Sequence, residues 1–261
     1  FKDNEVMFCE PFMPHAWPTK YRMSTDYPIV GIKAVGSSLI ITTKAYPYVA
    51  QGAHPSNMTL ARMRENQSCV SKRSIVGMGH SVMYASPDGL ISAAGNIATL
   101  ATEKVYSRAQ WQAMKPETIH GYMHEGSYVG FYTVSGVQKG FIFNPKSLLL
   151  SDLTDVTTLT GGYANPEDDA LYFIDNVSQI KQFNAGTDST YEWQSKQYKV
   201  GRPMNMAAAR VEAESYSNIT LYVYAESGLV HTQTVLNERA FRLPSGYRSN
   251  QYEVKVVGSD I

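Results

Sequence analysis

Short apolar runs separated by turn residues recur along the first two thirds of the chain. Between residues 29 and 183 they recur roughly every 8 to 12 residues, with Gly, Asn or Asp between them. Residues 29–35 and 38–43, for example, predict a hairpin across Gly36-Ser37. Short strands at this spacing are typical of sandwiches, barrels and propellers. The pattern therefore predicts an all-β protein.

Residues 71–95 (SKRSIVGMGHSVMYASPDGLISAAG) show the pattern most clearly. They predict three strands joined by tight turns. Within the turn SPDG, Pro87 fixes its own φ, Asp88 can bond its own backbone, and Gly89 tolerates a positive φ. This stretch predicts one small antiparallel sheet.

A loose repeat links this stretch to other parts of the chain. Residues 35–41 (VGSSLII) resemble residues 78–84 (MGHSVMY) at a spacing of about 43 residues. Residues 164–173 repeat the theme of a turn followed by an apolar strand. Propeller blades are about 40 to 45 residues long. The repeat therefore favours a β-propeller or a propeller fragment.

Two segments have helical signals instead. Residues 107–114 predict a short helix with Ser107 as the N-cap, ended by Pro116. Residues 55–65 have a helix-like spacing of apolar residues, and we expect a second helix there.

The pattern changes near residue 190. Residues 191–198 alternate cleanly, and later strands such as 219–225 are longer and more regular. We therefore predict two domains. Residues 1–188 form the propeller-like domain, which we expect to be a fragment of a longer chain, and residues 189–261 form a small antiparallel β-sandwich.

The charge balance excludes some classes of protein. Lys and Arg number 23, as do Asp and Glu, so the formal net charge is zero. This argues against a surface built throughout to hold nucleic acid or an anionic membrane. The 18 tyrosines and the low charged fraction of 18% suit broad contact surfaces. No apolar run reaches the length of a membrane span.

Catalytic motifs are missing from the sequence. It contains no GxSxG nucleophile elbow, no glycine-rich phosphate loop and no zinc-binding spacing. His80 is expected in a turn, and Glu167-Asp168-Asp169 at a solvated hairpin tip rather than around Ca²⁺. Cys9 and Cys69 predict free thiols, with a disulfide left open. We expect no enzyme activity, no cofactor and no metal.

Two groups of residues are candidates for partner contacts. His15 and Trp17 lie in a proline-rich loop, where the alternative is a loop pinned to the surface by its tryptophan. The second group is the basic cluster Arg62, Arg64, Lys72 and Arg73. If these four share a face, they could meet a partner or nucleic-acid phosphates. The alternative is a solvated helix face and loop.

Several segments resemble virion proteins of tailed bacteriophages. They are CEPFMPHAWP, QSCVSKRSIV, VMYASPDGLI, YEWQSKQYKV and FRLPSGYRSNQYEVKVVG. These segments are similar to the β-propeller tail tube or nozzle proteins of short-tailed phages. The turn SPDGL also resembles the Asp-box of sialidase-type propellers, although the Thr-Trp pair that follows in the Asp-box is absent here. The Asp-box has a structural role, so this resemblance favours a propeller and not glycosidase activity.

The resemblance implies a structural component of a phage tail, of the tube, nozzle or hub type. Copies would form a ring, contact neighbouring virion proteins, line the genome exit path and touch passing DNA only transiently. The protein would be made in the bacterial host cytoplasm and end in the virion. Two alternatives stay open: a carbohydrate-binding or receptor-binding β-propeller (adhesin) of phage or bacterial origin, and a bacterial scaffold propeller.

Overall fold

The computed structural model describes residues 1–153, 156, 158–186 and 189–259, and it confirms the all-β class. The chain divides into an N-terminal unit, Phe1–Phe183, and a C-terminal unit, Asn184–Ile261. The boundary predicted from the sequence falls between residues 188 and 189, and residues 187 and 188 lie outside the described part.

The N-terminal unit begins with a two-stranded pair and continues as four antiparallel sheets, in each of which every strand pairs with the next. The pair is β1 (Glu5–Met7) with β2 (Arg22–Ser24). The first sheet is β3 (Ile29–Val35), β4 (Ser38–Thr43), β5 (Tyr48–Gln51) and β6 (Thr59–Arg62). The second is β7 (Val76–Gly77), β8 (Val82–Ala85), β9 (Leu90–Ala94) and β10 (Ile97–Leu100).

The other two sheets follow without interruption in chain order. The third sheet is β11 (His120–His124), β12 (Ser127–Val134), β13 (Val137–Asn144) and β14 (Leu149–Leu153). The fourth is β15 (Leu159–Ala164), β16 (Leu171–Asp175) and β17 (Ile180–Gln182). Within the described residues the fourth sheet thus has three strands where the others have four.

The first strands of successive sheets are neighbours. β3 contacts β7, β7 contacts β11, and β11 contacts β15. These strands begin at Ile29, Val76, His120 and Leu159, so they start 39 to 47 residues apart. None of the sheets closes on itself in the part of the chain that the structure describes.

Apolar cores lie between consecutive sheets. Ile40 and Val49 of the first sheet cluster with Tyr84 of the second. Leu90 of the second sheet shares a cluster with Phe141 of the third. The remaining junction, between the third and fourth sheets, is built around the side chains Val129, Phe131, Leu171 and Phe173.

The outer face of the first sheet is covered by the chain's own beginning. Val6 of β1 joins Ile29, Ile41, Tyr48 and Ala50 in one buried cluster. The N-terminal unit is therefore a row: the β1–β2 pair, then the first, second, third and fourth sheets.

Local predictions succeed where the signal is local. The β3–β4 hairpin spans the predicted residues, with Gly36 in the left-handed turn position at φ 55°. Helix α1 (Arg108–Ala113) is capped by Ser107, whose hydroxyl accepts from the Gln110 N–H in a capping box. The other helical elements among the described residues are 3₁₀ turns at Thr19–Tyr21, Pro55–Asn57, Lys72–Ser74 and Pro116–Thr118.

The helix predicted over residues 55–65 is wrong. The segment forms the 3₁₀ turn Pro55–Asn57 followed by β6. Met58 and Leu60 pack on one side of the first sheet and Met63 on the other, because β6 hydrogen-bonds along β5. Sheet pairing outweighed a weak helical spacing.

The C-terminal unit contains one larger sheet and one two-stranded sheet. The larger sheet is β18 (Tyr191–Gln194), β19 (Tyr198–Met204), β21 (Ile219–Ala225), β22 (Gly228–Val235) and β24 (Ser249–Gly258). β24 is central: β18 and β19 follow one another along one edge, and β21 and then β22 lie on the other. The small sheet is β20 (Ala208–Ala209) with β23 (Phe241–Arg242), and its residues share an apolar core with β21.

Candidate interaction surfaces

The proline-rich loop of residues 10–18 is held by its own hydrogen bonds. The Glu10 N–H donates to the Ala16 carbonyl at 2.8 Å, and the Ala16 N–H donates to the Met13 carbonyl at 3.0 Å. The Trp17 indole Nε1–H donates to the Pro14 carbonyl at 2.9 Å. The position of the indole is therefore set inside the loop before any partner binds.

The tip of this loop presents apolar side chains to solvent. Phe12 is fully exposed, Met13 is exposed, and Trp17 is 52% exposed. Phe12 also has a φ of 62°, a left-handed conformation that costs a bulky residue about 1–2 kcal/mol. Strained backbone conformations cluster at active sites and ligand-binding segments.

The loop lies at the first-sheet end of the N-terminal unit. Phe8, just before it, packs against the cluster on the outer face of the first sheet. Tyr21, just after it, is buried and meets His54 edge-on at 5.9 Å between ring centroids. Trp17 and the exposed His15 were sequence candidates, whereas Phe12 was missed. Its only signal was an aromatic residue between Pro11 and Pro14.

The four predicted basic residues have different neighbours. Arg62, at the end of β6, lies 3.9 Å from the Asp26 carboxylate and 4.7 Å from the centroid of the Tyr46 ring. Arg64 follows it and is exposed. Lys72 Nζ lies 5.5 Å from the centroid of the Phe1 ring. Arg62 and Lys72 therefore contact different parts of the unit.

Arg73 has a place in the joint between sheets. Its guanidinium donates to the Thr160 carbonyl of β15 at 2.8 Å. Nearby His120 is buried, with Nδ1 3.2 Å from the Tyr122 hydroxyl and Nε2 3.0 Å from Gln138 Nε2. Burial and the Arg73 charge lower the pKa of His120 to about 4. This polar network links the turn before β7 to the third and fourth sheets.

The outer face of the fourth sheet is apolar and open. Ile174 of β16 lies opposite Ile180 of β17, and Tyr163 of β15 lies opposite Tyr172. Tyr163, Ile174 and Ile180 are 62%, 43% and 72% exposed. Side chains alternate across a strand, so Leu171 and Phe173 point instead into the junction with the third sheet.

An acidic hairpin tip borders this face. Glu167, Asp168 and Asp169 lie in the turn between β15 and β16 and are exposed. Hydrogen bonds from the Ala170 N–H and the Tyr172 hydroxyl hold the pKa of Asp168 below its usual value. The tip is therefore anionic at neutral pH.

A shallow groove of about 440 Å³ runs among turns of the second, third and fourth sheets. Its charged and titratable lining residues are His80, Glu125, Lys146 and Asp169. His80 lies in the turn between β7 and β8, as expected.

Both cysteines are free, Cys69 buried and Cys9 half-buried. Among the described residues no cluster of three His, Cys, Asp or Glu side chains could hold a metal ion, and no helix has the length and apolar character that a transmembrane helix requires.

The C-terminal unit has an exposed aromatic row on its edge strands. Trp193 pairs with Val256 and Tyr198 with Tyr252, and both partners lie on the same side of β24. Tyr191, Trp193 and Tyr198 therefore share one side of the sheet, and each is nearly half exposed. Lys196 Nζ lies 5.6 Å from the centroid of the Tyr198 ring.

A scan against protein-family models and a search of curated proteins each found no match to this chain.

Proposed function

We propose that the N-terminal unit is part of a β-propeller. The observation that supports this most directly is the order of its sheets: each is an antiparallel meander, and the first strands of neighbouring sheets touch. Propeller blades are four-stranded sheets arranged around an axis, with repeats of about 40 to 50 residues. The spacing of 39 to 47 residues between first strands fits such blades.

We further propose that the protein is a structural component of a bacteriophage tail, of the tube, nozzle or hub type. It acts by self-assembly into a ring and by contact with other virion proteins, without catalysis. The phage assignment rests on the sequence resemblance. Apolar surfaces exposed at both ends of the N-terminal unit support self-assembly, because exposed apolar patches mark contact sites.

The net charge of the chain agrees with a position along the genome exit path. Each phosphate contact strengthens DNA binding, so a conduit must avoid a strongly basic surface. The chain has a formal net charge of zero, and Arg62 and Arg73 already have contacts within the unit. Contact with passing DNA would then be transient.

The test is the mass of the assembled protein. Light scattering and negative-stain electron microscopy of the concentrated protein should show rings with one discrete copy number. Filter binding of duplex DNA at physiological salt should show little retention. A protein that stays monomeric alone and with neighbouring tail proteins would contradict the proposal, and so would tight retention of DNA.

The aromatic row of the C-terminal unit favours a second candidate function, a carbohydrate-binding or receptor-binding role. Exposed Tyr and Trp side chains combine a large apolar surface with a polar group, and such residues are enriched at binding sites. A glycan array should then detect binding that Trp193→Ala removes. Leu236→Ala, at an exposed apolar residue outside the row, is the matched control. Absence of binding in the wild-type protein would exclude this role for the tested glycans.

A further inference from the structure

The two ends of the N-terminal unit differ in shape and charge. The first-sheet end carries the proline-rich loop with Phe12 and Trp17 at its tip. At the other end, the fourth sheet presents an apolar face that includes Ile174 and Ile180. The first-sheet end thus carries an exposed loop, and the other end carries a sheet face on which such a loop could pack.

Each end carries an exposed charge that a second copy could meet. Lys20 follows the loop and is exposed, whereas Arg22 already pairs with Glu5 at 3.4 Å and Glu10 lies at the start of the loop. The hairpin tip beside the fourth sheet carries the exposed Glu167 and Asp169 around the ionised Asp168. Complementary charge fixes the orientation of two partners and suppresses wrong pairings.

The edge of the fourth sheet is also free. All residues of β17 (Ile180–Gln182) are exposed, and the sheet has three strands in the described part of the chain. An exposed edge beside an apolar face invites association unless it is covered. At the other end, Val6 and Phe8 already cover the first sheet. Within the described part of the N-terminal unit, the fourth sheet therefore has an open face, and the loop at the other end is exposed.

We propose that a second copy of this chain occupies the open face: the proline-rich loop of one copy packs on the outer face of the fourth sheet of the next. Phe12 and Trp17 lie against Tyr163, Ile174 and Ile180, and Lys20 faces the acidic tip. The inference rests on the proposed self-assembly and names its contact. Because the two surfaces differ, the contact is head-to-tail, and such contacts close into rings when the rotation permits.

The loop suits this role because it is already ordered. Its backbone hydrogen bonds and the Trp17–Pro14 bond hold the anchor side chains in place. A binding surface that is ordered in the free protein loses less conformational entropy on association. The strained Phe12 would be the side chain most deeply buried by the contact.

Two variants are designed, each of which disrupts the proposed contact surface at one end of the N-terminal unit. The loop variant combines Phe12→Asn with Trp17→Ala, and asparagine tolerates the left-handed backbone at position 12. The sheet variant combines Tyr163→Ser with Ile180→Lys. Ile97→Lys is the matched control, since Ile97 is an exposed isoleucine on β10 of the second sheet. Circular dichroism and thermal melting establish that each variant is folded.

Sedimentation velocity is then measured for each protein alone and for the two variants mixed. We expect the wild-type protein and Ile97→Lys to assemble and each end variant alone to be monomeric. The equimolar mixture should form a one-to-one heterodimer and nothing larger, because one intact loop and one intact face remain. Glu167→Lys should weaken assembly at least tenfold, and Lys20→Glu in the same chain should restore it.

The outcomes separate this contact from the proposed function. End variants that assemble like the wild-type protein would overturn the head-to-tail contact and leave the tail assignment standing. A sheet variant that melts at a lower temperature while its assembly is unchanged would overturn it too, and would place another part of the same chain on the fourth sheet. A wild-type protein that never assembles would refute self-assembly itself.

Discussion

The second and fourth sheets differ in how many of their faces are buried. In the second sheet every residue of β8 is buried, because the first and third sheets pack on both sides. In the fourth sheet β16 alternates: Leu171 and Phe173 are buried and Ile174 is exposed. A continuous apolar run is typical of a strand whose sheet is packed on both faces. An alternation of buried and exposed apolar residues is typical of a strand whose sheet is packed on one face.

The two sheets also differ in what joins them to the third. The junction with the second sheet is apolar and aromatic, with Trp111 and Phe141 at its centre. The junction with the fourth sheet includes a polar network in which the buried His120 meets Gln138, and Arg73 donates to the Thr160 carbonyl. Mild acid should therefore leave the junction between the second and third sheets unchanged and destabilise the junction between the third and fourth sheets.

The largest expected effect is at the apolar junction. Trp111 is fully buried, and its indole Nε1–H donates to the Ser86 carbonyl at 2.8 Å. Trp111→Ala should lower the free energy of unfolding by about 3–5 kcal/mol. Trp17→Ala, at an exposed tryptophan, should change it by about 0.5 kcal/mol or less. Chemical denaturation measures both, and equal effects would contradict the packing described for the second sheet.

The polar junction should show a pH dependence. The pKa of His120 is about 4 in the folded protein and near 6.5 when unfolded, so the unfolded chain binds the proton more readily between these values. The stabilisation is complete above pH 6.5 and is lost as the pH falls towards 4, with a total of about 3 kcal/mol.

The matched variant for this effect is His120→Gln, which cannot titrate. The difference in the pH dependence of unfolding between the two proteins isolates His120 from the carboxylates. Hydrogen exchange should show that the wild-type protein loses protection in β15–β17 before β8–β9 as the pH falls. Identical pH profiles for the two proteins would refute the assignment.

The turn of the second sheet should tolerate no added side chain at Gly89. A Cβ there would lie 2.4 Å from Thr102 Oγ1, whose hydroxyl accepts from the Leu90 N–H, and 2.6 Å from Leu100 Cδ1. Gly89→Ala should cost about 1–3 kcal/mol through crowding. Gly95→Ala, at a left-handed glycine with open space around it, should cost about 1 kcal/mol. Thermal melting that ranks the two in the opposite order would be evidence against this reason.

The smallest effect on stability is expected on the open face of the fourth sheet. Ile180→Ser should change the free energy of unfolding of the monomer by about 0.5 kcal/mol or less, because the side chain is mostly in water. The same change should weaken self-association. A large loss of monomer stability would show that part of the chain covers this face.

The local features were accessible from the sequence because their causes lie within a few residues. The Gly36-Ser37 hairpin and the Ser107–Gln110 capping box are examples. The failure over residues 55–65 has the opposite cause. Spacing alone could not show that Thr59–Arg62 pairs with β5. The strand that holds this segment in an extended conformation lies elsewhere in the chain, so the segment's own sequence does not reveal it.

The candidate contact residues divide in the same way. Trp17 stood out because prolines flank it, and the structure places it exposed at a rigid loop. The basic residues looked like one cluster along the chain. In space, Arg62 meets Asp26 and Tyr46, while Arg73 reaches β15. Proximity in sequence says little about proximity across sheets, because each turn redirects the chain.

By itself the sequence determined that this protein is built from short antiparallel strands, because alternation and turn chemistry act over a few residues. Only the tertiary structure decided which faces of those strands are covered. Ile174 and Phe173 are adjacent apolar residues of one strand; Phe173 packs against the third sheet, and Ile174 is exposed because it points to the opposite side of the fourth sheet. That difference depends on the order of packed sheets, which a local pattern does not contain.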